Sequence, residues 1–241
     1  MSTIKSIVKK LLSGLGIYLT RNQRYDHLTA QIFKVTLRNS SNCVDIGCHK
    51  GEVLREMLAL SPEGIHYAFE PIPSLFDTYL KNQFPENCRI YNLGLSQTKS
   101  EKTFNYVTSN PAYSGFEKRT YKGKEKIELI TVKTERLDAV LPMDYCPELI
   151  KIDVEGAELE VLQGAQLVLE RCHPVILFEH GKGASDAYGT TPEKIYELLC
   201  EQHGFSIFTL SSFLEKGNAM NLSELKNFYE SGEEYYFVAK K

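Results

Sequence analysis

Between Cys43 and Gly51 a short β-type run, Cys43-Val44-Asp45-Ile46, meets a turn bounded by Gly47 and Gly51, and Glu52 to Leu58 then read as a helix. A strand that passes through a glycine turn straight into a helix is the opening unit of α/β folds, because glycine lets the backbone approach a ligand and the helix start presents unpaired N–H groups. The alternation continues. Strands are predicted at 42–46, 65–70, 88–93, 149–153 and 174–179, with helices at 51–60, 73–83, 157–171 and 192–203. That rhythm implies an α/β fold with a parallel sheet and right-handed crossovers. The runs 205–210 and 235–239 follow without a clear full-length crossover helix, so an antiparallel closing pair is expected.

The acid in the first unit narrows the ligand. A dinucleotide fingerprint seats a pyrophosphate on the helix N-terminus, which a carboxylate would repel. Here the order is D-x-G-x-x-x-G, and Asp45 beside the turn suits a ligand that carries an ammonium, such as the methionine part of S-adenosylmethionine. About twenty residues on, where a nucleoside fold places its ribose-binding acid, the run Ile65–Phe69 ends in Glu70. A third strand exit, Ile150-Lys151-Ile152-Asp153-Val154-Glu155-Gly156-Ala157-Glu158, gathers three acids at a helix start, more than capping requires. Capping alone remains the plain alternative for Asp153 or Glu155.

Together V-D-I-G-C-H-K-G, A-F-E-P, N-L-G-L-S and I-K-I-D-V-E-G-A-E-L-E-V-L-Q-G-A resemble the FkbM-type methyltransferases over residues 42–210. The resemblance implies a Rossmann-like methyltransferase fold: a mostly parallel seven-stranded sheet, an antiparallel C-terminal strand and helices on both faces. It also implies S-adenosyl-L-methionine as cofactor. Asp45, Gly47 and Gly51 would hold the methionine end, Glu70 the ribose, and Asn92, Leu93 and Gly94 would lie near the adenine. Cys48 and His49, at the middle of the turn, depart from the usual D-x-G-A-N-x-G and are counted with the cofactor-binding residues.

Methyl transfer to a hydroxyl needs an oriented acceptor and a base near its proton. Asp153, Glu179 and His180 are the catalytic candidates, with Asp153 first; Glu155, Tyr113 and Ser114 are assigned to the acceptor. In the alternative mechanism Asp153, Glu155 and Glu179 hold a divalent cation that lowers the hydroxyl's pKa. The expected reaction is O-methylation of a sugar, a glycan or a small secondary metabolite. Two competitors are a nicotinamide-dependent oxidoreductase or epimerase, which Asp45 opposes, and a non-catalytic Rossmann-like scaffold in a glycan-assembly complex.

At 241 residues the chain suits one sizeable α/β domain. We assign 39–241 to it, with 96–140 as a β-hairpin and substrate-loop insertion and 1–38 as a helical extension packed on the core. Net charge −3 gives no electrostatic case for nucleic acid. Cys43, Cys48, Cys88, Cys146, Cys172 and Cys200 contain no C-x-x-C pair and are read as reduced, mostly buried thiols of a cytoplasmic protein without a signal peptide. Residues 3–15 read as an amphipathic helix, and residues 1–25 carry five basic residues and no acidic one. Its apolar face is expected to pack on the domain or a partner. The competing expectation is peripheral contact with the inner face of the membrane.

Overall fold

The computed structural model describes residues 20–119 and 123–241. The segment 3–15, with the expectations of packing and membrane contact attached to it, lies outside the described residues. No helix among the described residues is long and apolar enough to cross a membrane.

Seven strands form the main sheet: β1 (Cys43–Ile46), β2 (His66–Phe69), β3 (Cys88–Tyr91), β7 (Leu149–Ile152), β8 (Val175–Glu179), β9 (Ser206–Thr209) and β10 (Tyr236–Lys240). The spatial order is β3-β2-β1-β7-β8-β10-β9, parallel except for β10, which runs antiparallel to both neighbours. The numbers missing from that set form a small second sheet, β4 (Gly94–Leu95), β5 (Ser100–Val107) and β6 (Ile127–Glu135), ordered β4-β6-β5. The expected α/β, mostly parallel architecture with an antiparallel C-terminal strand is what the chain adopts.

β1, β2 and β7 are buried along their whole length because helices cover both faces of the sheet. Alternating side chains divide between two cores. Val44, Ile46, Ile150, Ile152, Ile176 and Phe178 enter one. Cys43, Leu149, Val175 and Leu177 enter the other, where α1 (Arg21–Thr36) lays Tyr25, Ile32 and Phe33. The glycine turn after β1 starts α2 (Glu52–Leu60), whose N-cap Gly51 has φ 76°.

Three details differ from expectation. The helix predicted over 157–171 is two helices, α3 (Glu158–Gln163) and α4 (Gln166–Cys172). They meet at Gly164, where a Cβ would come 2.2 Å from the Ser96 carbonyl oxygen. The link before β10 contains α5 (Leu222–Ser231), opened by a capping box in which Asn221 and Glu224 satisfy each other's backbone N–H. Third, the thiols are not all reduced: Cys146 and Cys172 form a disulfide, while Cys43, Cys48, Cys88 and Cys200 are free. Cys146 lies just before β7 and Cys172 ends α4, so the fold, and not a short spacing, brings their Cα atoms to 5.4 Å.

The capping box yields a measurable consequence. Asn221→Ala is expected to cost about 1 kcal/mol, lowering Tm by roughly 2–4 °C in a chain of this size. Asn221→Asp, which keeps the acceptor, should lose much less in the same thermal melt.

Candidate active site

Parallel strands in register place equivalent residues side by side, so the exits of β1, β7 and β8 converge at one edge of the sheet. Asp45 of β1 is the neighbour of Lys151 of β7, and Lys151 is the neighbour of Leu177 of β8. Because side chains alternate, Asp45, Lys151 and Glu179 leave the sheet on the face covered by α1. Tyr236 stands opposite Glu179 in the antiparallel pair and joins them.

Lys151 is the centre of this group. Its side chain is 7% exposed, and Nζ lies 3.6 Å from Asp45 Oδ1 and 3.2 Å from Asp153 Oδ2. Burial pulls the Lys151 pKa down, but Asp153 and Asp45 beside it outweigh burial and raise it. Asp45 is completely buried, its pKa is raised by burial against the opposing pull of Lys151, and neither carboxylate oxygen accepts a hydrogen bond from a described residue. Asp153 is the outward end, with a third of its side chain exposed, and Oδ2 also accepts from the Tyr236 hydroxyl at 3.3 Å.

A cavity of about 1070 Å³ runs over these strand exits. Its lining includes Gly47, Cys48, His49 and Glu70, with Leu93 and Gly94. Gly47 (φ 75°) has no room for a side chain, since a Cβ would sit 1.9 Å from the Asp153 carbonyl oxygen. The Glu70 carboxylate accepts from the His49 N–H and the Ile72 N–H, both at 2.9 Å. Burial pushes Glu70 up to about 7, with those two hydrogen bonds working against it. Asp153, Glu155, Glu179, Tyr113 and Ser114 line the same cavity. Burial, followed by repulsion from Asp153 and Glu158, lifts Glu179 to about 8.

The hairpin of β5 and β6 is fastened beside this cavity. Arg119 pairs with Glu155 and donates through Nε to the Gly183 carbonyl at 2.9 Å. The Tyr188 hydroxyl accepts from the Phe116 N–H and Glu117 N–H at 2.8 and 3.1 Å. Ser114 Oγ accepts from the Val107 N–H and shapes the loop. On the far side α1 supplies a wall through Asn22, Tyr25 and Asp26. It is held there by Tyr25 and Arg24, which bind the Glu234 carboxylate at 2.7 and 2.6 Å.

Four candidates from the sequence stand off the cavity wall. Asp45 is screened by Lys151, so its carboxylate reaches the cavity only through that lysine. Gly51 faces Phe84, whose ring a Cβ would meet at 2.6 Å, and serves the turn. The Asn92 amide donates to the carbonyls of Glu70 and Pro71, holding the β2 exit. His180, one residue past Glu179, falls on the opposite face, where it is fully buried and stacked on Tyr229 of α5. Burial pushes its pKa down to about 4. Its side chain thus lies across the sheet from Asp45, Lys151 and Glu179. Glu158 is likewise buried, accepting the N–H groups of Val154 and Gly156. The cation-binding alternative for Asp153, Glu155 and Glu179 finds no support: among the described residues no three His, Cys, Asp or Glu residues are grouped to hold a metal ion.

Sequence reasoning left Lys151 and Tyr236 outside the site. A lysine inside an otherwise apolar strand, two residues before Asp153, was the available signal for the first. Tyr236 had none, because its position follows from the register of β10 on β8.

Comparison with known proteins bears on this geometry. The family model described as the methyltransferase FkbM domain matches residues 45–207. The hexuronic acid methyltransferase AglP of Haloferax volcanii is 29% identical over 137 residues, 56% of this chain and 52% of that protein. The match thus spans about half the length of the curated relative. Among solved structures, the methyltransferase FkbM from Methylobacillus flagellatus KT aligns with 85% of this chain and 44% of its own, at a TM-score of 0.51 and 15% identity. At that identity the likeness is one of fold.

The buried lysine gives a direct test of how the site is held. Lys151→Met strands Asp45 in the interior without its counter-charge and should destabilise the protein by about 3–5 kcal/mol. Adding Asp45→Asn should recover part of the loss, giving a coupling of about 1 kcal/mol or more in a double-mutant cycle read by denaturant unfolding. Strict additivity would contradict the pairing.

Proposed function

This chain belongs to the methyltransferase FkbM domain family, and from that premise we propose that it transfers the methyl group of S-adenosylmethionine to a hydroxyl of a sugar or glycan. The observation that carries the proposal is one continuous cavity joining the glycine turn and Glu70 to the carboxylates of Asp153 and Glu179. The sugar class draws on the relative named as a hexuronic acid methyltransferase. No observation favours the nicotinamide or scaffold alternatives.

The residues present fit the cofactor. The missing side chain at Gly47 lets backbone form that wall. Glu70 sits at the β2 exit with lone pairs beyond those given to His49 and Ile72, free for ribose hydroxyls. Beyond it Ile72, Leu93, Phe104 and Phe116 offer apolar wall for a purine. When bound, S-adenosylmethionine supplies a methyl carbon whose bond to sulfur breaks toward sulfur as the acceptor oxygen attacks in line. Asp45 acts at one remove, by fixing Lys151, which in turn fixes Asp153.

Two carboxylates then divide the work. Asp153 already accepts from Tyr236 and pairs with Lys151, so it is suited to orienting the hydroxyl. Glu179 takes the proton. Its basicity, raised by burial to a pKa of about 8, matches a hydroxyl better than an ordinary carboxylate would. Glu155 and Arg119 close the acceptor end, with Tyr113 beside them.

Titration with S-adenosylhomocysteine tests the cofactor assignment. Wild type should bind it without competition from NADH, and Glu70→Ala should bind at least tenfold more weakly; a folded wild type that fails to bind would refute the assignment. Proton removal by Glu179 requires its ionised form, so the transfer rate should climb as pH rises through about 8. Glu179→Gln should lose that rise and slow transfer by roughly 10²-fold or more.

A further inference from the structure

The glycine turn after β1 spends its backbone donors inside the fold. The N–H groups of Gly47 and Cys48 both donate to the Phe69 carbonyl at 3.0 Å, and that of Gly51 donates to the Cys48 carbonyl at 2.7 Å. The His49 N–H is held by Glu70. An amino-acid tail laid over this turn brings a carboxylate, and a carboxylate drawn out of water needs donors. With those N–H groups engaged, a side chain is the better placed donor.

His49 is positioned to be that donor. Its backbone holds the acid assigned to the ribose, while its side chain lines the cavity and stays 35% exposed. Nδ1 stands 3.9 Å from Glu52 Oε2, beyond hydrogen-bonding distance, so the ring is not committed to that acid. Burial lowers the pKa of the ring, and Glu52, Lys50, Asp153 and Lys151 act on it in turn, which sets it within electrostatic reach of the β7 exit. At φ 51° the His49 backbone is left-handed, a conformation that is costly for a residue with a Cβ and persists where its surroundings enforce it. Cys48 beside it is 4% exposed and cannot share the role. A ligand with its ribose on Glu70 and its sulfur toward Asp153 carries its tail past this ring. We propose that the His49 imidazole donates to the carboxylate of the cofactor's amino-acid tail, in place of the backbone N–H groups of the turn. This rests on the transferase reading above and assigns a further residue to that same site.

The experiment compares two probes on the full chain by calorimetric displacement. S-adenosylhomocysteine has the tail; 5′-methylthioadenosine keeps the purine, ribose and sulfur and lacks it. The variant is His49→Gly, which removes the ring, keeps the N–H that Glu70 accepts and suits the left-handed backbone. It should bind S-adenosylhomocysteine about tenfold or more weakly than wild type, and 5′-methylthioadenosine within about twofold of wild type. Equal weakening of both probes overturns the inference, since His49 would then act only through Glu70 and the turn. Unchanged affinity for both also overturns it, because the tail would be held elsewhere. A folded wild type that binds neither probe refutes the transferase reading itself, an outcome distinct from either pattern in the variant.

Discussion

A lysine ammonium buried between two carboxylates organises this protein's working edge. Removing an ion from water costs several kcal/mol even after the protein relaxes, so Lys151 stays in the interior only because Asp45 and Asp153 both approach it. An opposite charge at about 4 Å returns roughly 4 kcal/mol at an effective dielectric of 20. With two such partners the lysine holds its charge, and its position fixes the carboxylate that faces the cavity. Asp45, the acid that singles out the first motif, is therefore a support. In the proposed reaction the chemistry is delivered one strand over.

Strand register converts that support into a site. Neighbouring strands of a parallel sheet end at the same level, and ligands of open α/β folds gather outside those ends. β1, β2, β7 and β8 each end in or beside an acid, and their alternation decides which acids point toward α1 and which are lost to the opposite core. The single-residue step from Glu179 to His180 crosses that divide. Two additions to the sheet finish the enclosure: α1, tied down through Glu234, and the β5–β6 hairpin, tied down through Arg119 and Tyr188. The hairpin also brings Phe104 and Phe116 to the cavity wall, so one insertion supplies both apolar and polar lining.

The strand and helix rhythm was legible in the sequence because buried parallel strands are uninterrupted apolar runs and glycine marks the turn after β1. Gly47 and Glu70 could be placed on the same grounds, each lying at a strand exit. What escaped depends on contacts between distant segments. The Cys146–Cys172 disulfide is made by the packing of α4 beside the start of β7, and the split between α3 and α4 by a carbonyl of Ser96 pressing on Gly164. His180 was drawn into the site by its neighbour, although period-2 alternation argued against both residues pointing the same way. α5 was readable in principle, since Asn221 and Glu224 have capping-box spacing.

The central claim is that a nucleoside with an amino-acid tail lies over Gly47, with Asp153 and not Asp45 nearest the reacting centre. A crystal structure with S-adenosylhomocysteine measures this most directly. The account predicts ribose hydroxyls on Glu70, the sulfur end directed toward Asp153 and Glu179, and Asp45 still sealed behind Lys151. A ligand bound directly to Asp45 with Lys151 displaced, or a dinucleotide pyrophosphate seated over Gly47 in preference to S-adenosylhomocysteine, would contradict it.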